Sequence, residues 1–577
     1  MKKILSNVMA VAMLAGLTCG VAGCGTTKVV EEIDENKVQL YIASYSGGAG
    51  YKWLDDPDDD LADDTESRFE AKYANTKFGD KTGVQVIVET SKGFSASKVN
   101  EGLTSEAYDL YFAPANYYDH VSQKQLLDIT DMVTAVSAID NKSIESKIEP
   151  DKQEKLKVDG KYYAVPYFTI SQGITYDAGL FNENKLYFSK EMDTDGMRKF
   201  VTTKDATDLS CGPDAVYGTY DDGLPSSIKE FGKLMDRMRS GKGGEVILPF
   251  AFNGKGAFYT NYFIKNVSAN MMGIDAVKAH ATFDTAGKQV DIVTGFNGNT
   301  PIIEKKVITR ENAYLLKSSA GMYYAIELAE KIFSDSNNYD TEAASEGSSS
   351  NLYAMERFLK SGKDGSTPIG MFIEGSYWYN EAESDGVLER VRKLGELKDI
   401  RVMALPHQYS GTVTPKAEGE APVSQVIEDE IGFAFVASTI PQERMEAAKL
   451  FLQFCYSDEE LVKAELANDG VMRSVIYDSS SIQDQISGYA RSNNVMRAQA
   501  MKNGTICTLL SQDPISLMKT GYFTRENRGG YWNISWKGTN YDNPYTIYKE
   551  TEATPKDYFN ALQISEKAWG DAWYQAK

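Results

Sequence analysis

A chain of 577 residues is too long for one simple core, so two or more folded units are expected. Its net charge of −21 offers no basic surface to displace counterions, which excludes nucleic acid as a partner and suits a surface protein that resists self-association, a monomer. Five scattered cysteines provide no disulfide framework, so stability must come from burial of apolar area.

The chain opens on Met1-Lys2-Lys3, a positive start, followed by an apolar stretch over residues 8–17 that is too short to span a bilayer. Small residues then lead to Cys24, and Val21-Ala22-Gly23-Cys24 resembles the bacterial lipobox. That resemblance implies a signal peptide over 1–23, cleavage before Cys24 and lipid on its thiol and new amino terminus. The protein would then be anchored at the outer face of the cytoplasmic membrane, since acyl chains bind at roughly 0.8 kcal/mol per buried methylene. Residues 24–37 are small, polar and acidic, and read as a flexible tether.

Residues 38–43 (Val-Gln-Leu-Tyr-Ile-Ala) read as a strand that breaks into the glycine-rich Ser44-Tyr45-Ser46-Gly47-Gly48-Ala49-Gly50. An acidic insertion follows over 51–64. A helix is expected over 66–78, with Phe69 and Tyr73 one turn apart and Gly79 as its stop. A strand over 84–88, a helix over 96–106 and a strand over 109–112 complete a strand–helix alternation, the pattern of a parallel sheet covered on both faces. Ser227-Ile228-Lys229-Glu230 is a capping box opening a helix whose stripe is Ile228, Phe231, Met235 and Met238. Pro441 begins another helix, with Ala448, Phe451 and Cys455 on its apolar stripe, and Ser457-Asp458-Glu459-Glu460 reads as a second capping box.

Four stretches in this order are similar to the carbohydrate-binding branch of the extracellular solute-binding proteins of ABC importers. They are Gly160-Lys161-Tyr162-Tyr163-Ala164-Val165-Pro166-Tyr167 with Ile174-Thr175-Tyr176-Asp177 behind it; Gly223-Leu224-Pro225-Ser226-Ser227; Gly370-Met371-Phe372-Ile373-Glu374-Gly375-Ser376-Tyr377-Trp378; and Ile431-Gly432-Phe433-Ala434-Phe435 through Met472. The resemblance spans roughly 38–475. It implies an α/β, two-lobed fold of the periplasmic-binding-protein type II, with discontinuous lobes at 38–165 plus 406–470 and at 166–405 plus 471–577. Pro166 and Pro406 mark the expected crossings, because a proline pushes the residue before it toward extended backbone. It further implies capture of a carbohydrate, an oligosaccharide, in an interlobe cleft by hinge closure, and delivery to the permease subunits of an ABC transporter. A peptide or another polar ligand is the alternative, with a surface glycoside hydrolase behind it. The insertion at 51–64 and the tail over 475–577 depart from the family pattern and could reshape the site.

Ligands of open α/β sheets bind beyond the carboxyl ends of strands. The loops meeting that description offer Tyr45 and Ser46, Asn116, and Glu374, Ser376 and Trp378; Asn253, Tyr259, Arg473, Trp532 and Trp536 are further candidates. Flat aromatic plates suit the C–H faces of a sugar, while carboxylates, amides and arginine suit its rim of hydroxyls. A core tryptophan is the competing reading of Trp378. Asp214, Asp221 and Asp222 lie in Gly212-Pro213-Asp214-Ala215-Val216-Tyr217-Gly218-Thr219-Tyr220-Asp221-Asp222-Gly223, which resembles short calcium loops of exported proteins; a structural calcium or a plain acidic hairpin are the two readings. Three histidines far apart in sequence, no nucleophile elbow and no phosphate loop lead to the expectation of a protein that is not an enzyme.

Overall fold

A computed structural model describes residues 32–48, 50, 52–55, 63–91, 94, 96–115, 117–254, 256–345, 351–411, 415, 425–510 and 532–575. Cys24 and Asn116, together with most of the 51–64 insertion, lie outside the described residues. The chain divides into two units. Unit 1 holds residues 1–167, 432–468 and 473–479; unit 2 holds 168–431, 469–472 and 480–577.

Unit 1 is built on the strand–helix alternation expected from its sequence. Val38–Tyr45 pairs in parallel with Val84–Ser91 on one side and with Leu110–Pro114 on the other. The last of these pairs antiparallel with residues 432–436, so a returning strand joins an otherwise parallel sheet. Leu40, Ile42, Val86 and Phe112 are buried, as the apolar runs of a sheet covered on both faces require. The helix Gln442–Cys455 covers the sheet, with Phe451 set edge-on to Phe69 at 4.8 Å. Cys455 is buried in this interface, and Cys211, Cys455 and Cys507 are in no disulfide.

Two helix signals need correction here. The helix expected over 66–78 is Thr65–Tyr73, because Lys77–Phe78 instead pairs with Lys81–Thr82 in a small hairpin turning at Gly79, whose φ is +66°. Ser457 does precede the helix Asp458–Ala467, but its hydroxyl donates to the Phe454 carbonyl and makes no cap. Glu460, expected to reach back to the cap, is bound to Arg68 at 2.5 Å. Ser227 does cap its helix by accepting from Glu230 N, while the Glu230 carboxylate turns to Ser226 N and Oγ.

Unit 2 carries a second sheet, in the order Leu248–Ala251, Ile369–Phe372, Ile174–Asp177, Ile400–Met403, with the first pair parallel. Helix Ile228–Ser240 buries Ile228, Phe231, Leu234, Met235 and Met238 and stops at Gly241 in a left-handed conformation. The tail over 532–575 belongs to this unit: Trp532, Tyr545, Tyr558 and Trp569 sit in the same apolar core as Phe231 and Phe250. Thr554 and Asp557 form a full capping box there.

The boundary expected at Pro406 falls at residues 431/432. The segment after Pro406 stays in unit 2 because its backbone is tied down there. Asn270 Nδ2 donates to the carbonyls of Leu405 and Pro406, and the first turn of Ile228–Ser240 donates from Ile228 and Lys229 to Gln408 and Tyr409. Residues 473–479, expected in the second lobe, belong to unit 1. No helix of the described residues is long and apolar enough to cross a membrane.

Candidate functional site

In unit 1 the residues after the carboxyl end of Val38–Tyr45 form a close-packed turn. A side chain at Gly47 would meet the Tyr45 hydroxyl at 2.0 Å and its ring at 2.1 Å, so the tyrosine lies over the glycine; Ser46 is buried beside it. The chain then reaches Trp53, which sets its ring against Phe112, 5.2 Å away and T-shaped, and against Tyr167 at 6.0 Å. Arg473 packs against both Trp53 and Tyr167. Its guanidinium carbon is 4.1 Å from the Trp53 centroid and 4.4 Å from that of Tyr167, a double cation–π contact. The residue is 4% exposed, and neither Nη1 nor Nη2 has a hydrogen-bond partner. Trp53 Nε1 and Tyr167 Oη are also buried without partners. Tyr477 Oη accepts from Arg473 N, which holds the turn past Gly470 (φ +84°) in place.

In unit 2 two parallel neighbours, Leu248–Ala251 and Ile369–Phe372, end in register, Ala251 opposite Phe372. Two residues on, Asn253 and Glu374 therefore leave the sheet side by side. Asn253 is fully buried; its Oδ1 accepts from Gly256 N at the start of helix Ala257–Met272, and its Nδ2 has no partner. Gly254 is required here, since a Cβ would meet the Ala344 carbonyl and the Tyr545 ring, each at 2.5 Å. Glu374 Oε1 accepts from Tyr377 Oη at 2.7 Å and from Gly375 N at 3.2 Å, and Oε2 has no partner. Burial pushes the Glu374 carboxyl well above the ordinary carboxylate range; the Tyr377 hydroxyl pulls the other way and Glu381 adds repulsion. Ser376 Oγ accepts from Ser171 N, and Ser376 N donates to Ser171 O. Tyr259, half-buried, packs edge-on to Phe258.

Trp378 does not project from this turn. It is fully buried, its Nε1 donates to Thr175 Oγ1 at 3.0 Å, and Phe372, Tyr379 and Tyr489 surround it at 5.0–5.5 Å. The helix Trp378–Ser384 begins at this residue and turns the indole inward, so the core reading holds and the platform reading does not. Trp532 is likewise fully buried, and its carbonyl accepts from Tyr558 Oη. Trp536 is partly buried on the hairpin strand Ile534–Trp536 and packs on the same core.

The acidic loop is tied partly from within, while Asp214 Oδ2 and Asp222 Oδ1 are buried without partners. Asp221 Oδ2 accepts from Asp214 N and its Oδ1 from Thr219 Oγ1; Asp214 Oδ1 accepts from Val216 N, and Asp222 Oδ2 from Gly218 N. Burial, then the neighbouring Asp214, pushes Asp221 well above the usual range; Asp214 and Asp222 are also raised, chiefly by burial. Among the described residues no group of three or more His, Cys, Asp or Glu is arranged to hold a metal ion. Both Asp221 oxygens are engaged inside the loop, as the plain-hairpin reading expects. The histidines serve structure: His280 Nδ1 contacts the Ala276 carbonyl and His120 Nδ1 the Gln125 amide. Burial lowers His280 and His407 to about 4.

Sequence reasoning missed Trp53, Tyr167 and Tyr377. The signal was present in each case, an aromatic within two or three residues of a named loop or motif.

No family model matches the chain, and no curated protein matches it. Solved structures do. The solute-binding protein RafE in complex with raffinose is 12% identical, covering 91% of this chain and 99% of that one, with a TM-score of 0.50. A structure described under xylan utilisation by the thermophilic bacterium Caldanaerobius polysaccharolyticus has 12% identity, the same coverages and a TM-score of 0.51. A chitin oligosaccharide binding protein has 12% identity, coverages of 93% and 99%, and a TM-score of 0.50. At such identities the likeness is one of fold, and the fold is the α/β solute-binding-protein fold expected from the sequence.

Proposed function

We propose that this protein is the substrate-binding component of an ABC importer, capturing a carbohydrate, an oligosaccharide, and delivering it to the permease. The observation that carries this reading is the pairing of aromatic rings with unpartnered buried polar atoms at the carboxyl edge of each unit's sheet. Arg473, Trp53 and Tyr167 supply donors in unit 1; Asn253 Nδ2 and Glu374 Oε2 supply a donor and an acceptor in unit 2. A buried polar atom without a partner costs about 1–3 kcal/mol, which a sugar hydroxyl would recover on binding. The fold shared with proteins described as binding raffinose and chitin oligosaccharide supports the same reading. Ser376 and Tyr259 stand beside the unit 2 atoms, and Tyr45 and Ser46 at the end of strand Val38–Tyr45 are the remaining ligand candidates.

Hinge closure of the units on the ligand belongs to this proposal, as does anchoring through lipid on Cys24. The protein acts without catalysis. The test is calorimetric titration of residues 25–577 with an oligosaccharide panel, followed by chromatography of the sugar and by solution scattering of the saturated protein. Tight binding, intact sugar and a smaller radius of gyration support the proposal. Binding of peptides alone, or cleavage of the sugar, refutes it.

A further inference from the structure

Resting on the carbohydrate-binding reading, we propose that the unit 1 subsite around Arg473 receives a carboxylate, so that the captured saccharide is acidic, a uronate-containing oligosaccharide. The cluster consists almost wholly of donors. Arg473 Nη1 and Nη2 and Trp53 Nε1 can only donate, and Tyr167 Oη adds a hydroxyl; all four atoms are buried and none has a partner. Ser474 Oγ, on the next residue, is buried and unpartnered as well.

Among the described residues no carboxylate pairs with Arg473. Glu460, which acts with it on Cys455, is committed to Arg68 at 2.5 Å. Glu465 bears on the Tyr477 hydroxyl, as Arg473 does, yet Nη1 and Nη2 donate to neither of its oxygens. A guanidinium 4% exposed and without a counter-ion is costly to fold around, and the cost falls once an anion joins it. The two rings, at 4.1 and 4.4 Å from the guanidinium carbon and 6.0 Å from each other, pack on adjacent sides of it, and Nη1 and Nη2 remain unpartnered. A planar two-nitrogen fork matches a carboxylate by two parallel hydrogen bonds, a geometry that a single hydroxyl does not use in full. The nearby indole N–H and phenol then serve the remaining oxygen lone pairs or the ring hydroxyls.

The test is a calorimetric panel of oligogalacturonates, oligoglucuronates and oligomannuronates, two to six residues long, each beside its methyl-esterified counterpart. The ester keeps the ring and removes the charge. At least one acid is expected to bind tenfold or more tighter than its ester, and Arg473→Gln is expected to erase that ratio by weakening the acid at least tenfold more than it weakens the ester. Trp53→Phe, which keeps the ring and removes Nε1–H, should reduce the acid's affinity several-fold with the melting temperature preserved. Esters that bind as well as their acids, or an acid preference that survives Arg473→Gln, would overturn the inference and leave the carbohydrate reading standing. No binding to any acid or ester, with a neutral oligosaccharide bound, would likewise overturn the inference alone; no binding to uronates or to neutral oligosaccharides would sink the carbohydrate reading itself. Stabilisation by inorganic sulfate alone, with no preference among the sugars, would show a free-anion site and overturn the saccharide assignment.

Discussion

Replacing Trp378 by alanine tests whether this residue holds the fold or the ligand. The indole is fully buried, meets Phe372, Tyr379 and Tyr489 edge-on at 5.0–5.5 Å, and donates to Thr175 Oγ1 at 3.0 Å. Truncating a buried tryptophan costs roughly 3–5 kcal/mol through lost transfer energy and the cavity left behind. Against a net stability of about 5–15 kcal/mol this is a large fraction. At about 2–4 °C per kcal/mol for a large unit, the melting temperature should fall by roughly 10 °C. Trp378→Phe is the milder change, since it keeps one aromatic ring and removes the hydrogen bond, worth about 1 kcal/mol, together with part of the indole's volume. Urea midpoints and calorimetric affinities for the tightest sugar of the panel, measured on the same samples, decide the matter. The expected result is a lowered midpoint for Ala, a small drop for Phe and sugar affinity held within threefold wherever the protein is folded. An unchanged midpoint with affinity lost tenfold would refute the core assignment and restore the indole as a sugar platform.

Three further outcomes follow from the same structure. Gly254→Ala should destabilise by about 1–3 kcal/mol, because its Cβ would press on the Ala344 carbonyl and the Tyr545 ring at 2.5 Å; an unchanged urea midpoint would contradict this. Asp214 and Asp221 have raised folded-state pKa values, so the native loop binds more protons than the unfolded chain. Their contribution to stability therefore grows as pH falls from neutral toward the unfolded carboxylate range near 4, and is lost as pH rises through the folded values. Asp214→Asn should raise the melting temperature at pH 7 and flatten its dependence on pH. Stabilisation of the wild type by calcium that the Asn variant loses would restore the metal reading instead. Cys24→Ala should abolish metabolic labelling with palmitate and release the protein into the medium, and persistent labelling would show that Cys24 is not the acyl acceptor.

The local order of elements was legible in the sequence wherever short-range physics decides it. Apolar runs 38–43, 84–88 and 109–112 became parallel neighbours because strands buried on both faces need continuous apolar stretches. Ser227 capped its helix because a hydroxyl next to orphan N–H groups acts over three residues. Ser457 carries the same local pattern and does not cap, because Arg68, distant in sequence, claims Glu460. The return from unit 2 was misplaced by some 25 residues for a related reason: proline marks extended backbone, but Asn270 and the helix at Ile228 decide where that backbone is held. Asn253 and Glu374 were nameable as strand-end residues, while their side-by-side placement required the register of two strands over a hundred residues apart.

Trp378 and Arg473 show the division most plainly. Composition and spacing mark each as a plausible sugar contact. Only tertiary packing distinguishes an indole whose N–H is paired with Thr175 from a guanidinium whose nitrogens are paired with nothing. Residue type determines what a side chain is able to bind, whereas its remaining valence depends on which neighbours the fold brings within 3 Å, and those neighbours come from distant parts of the chain.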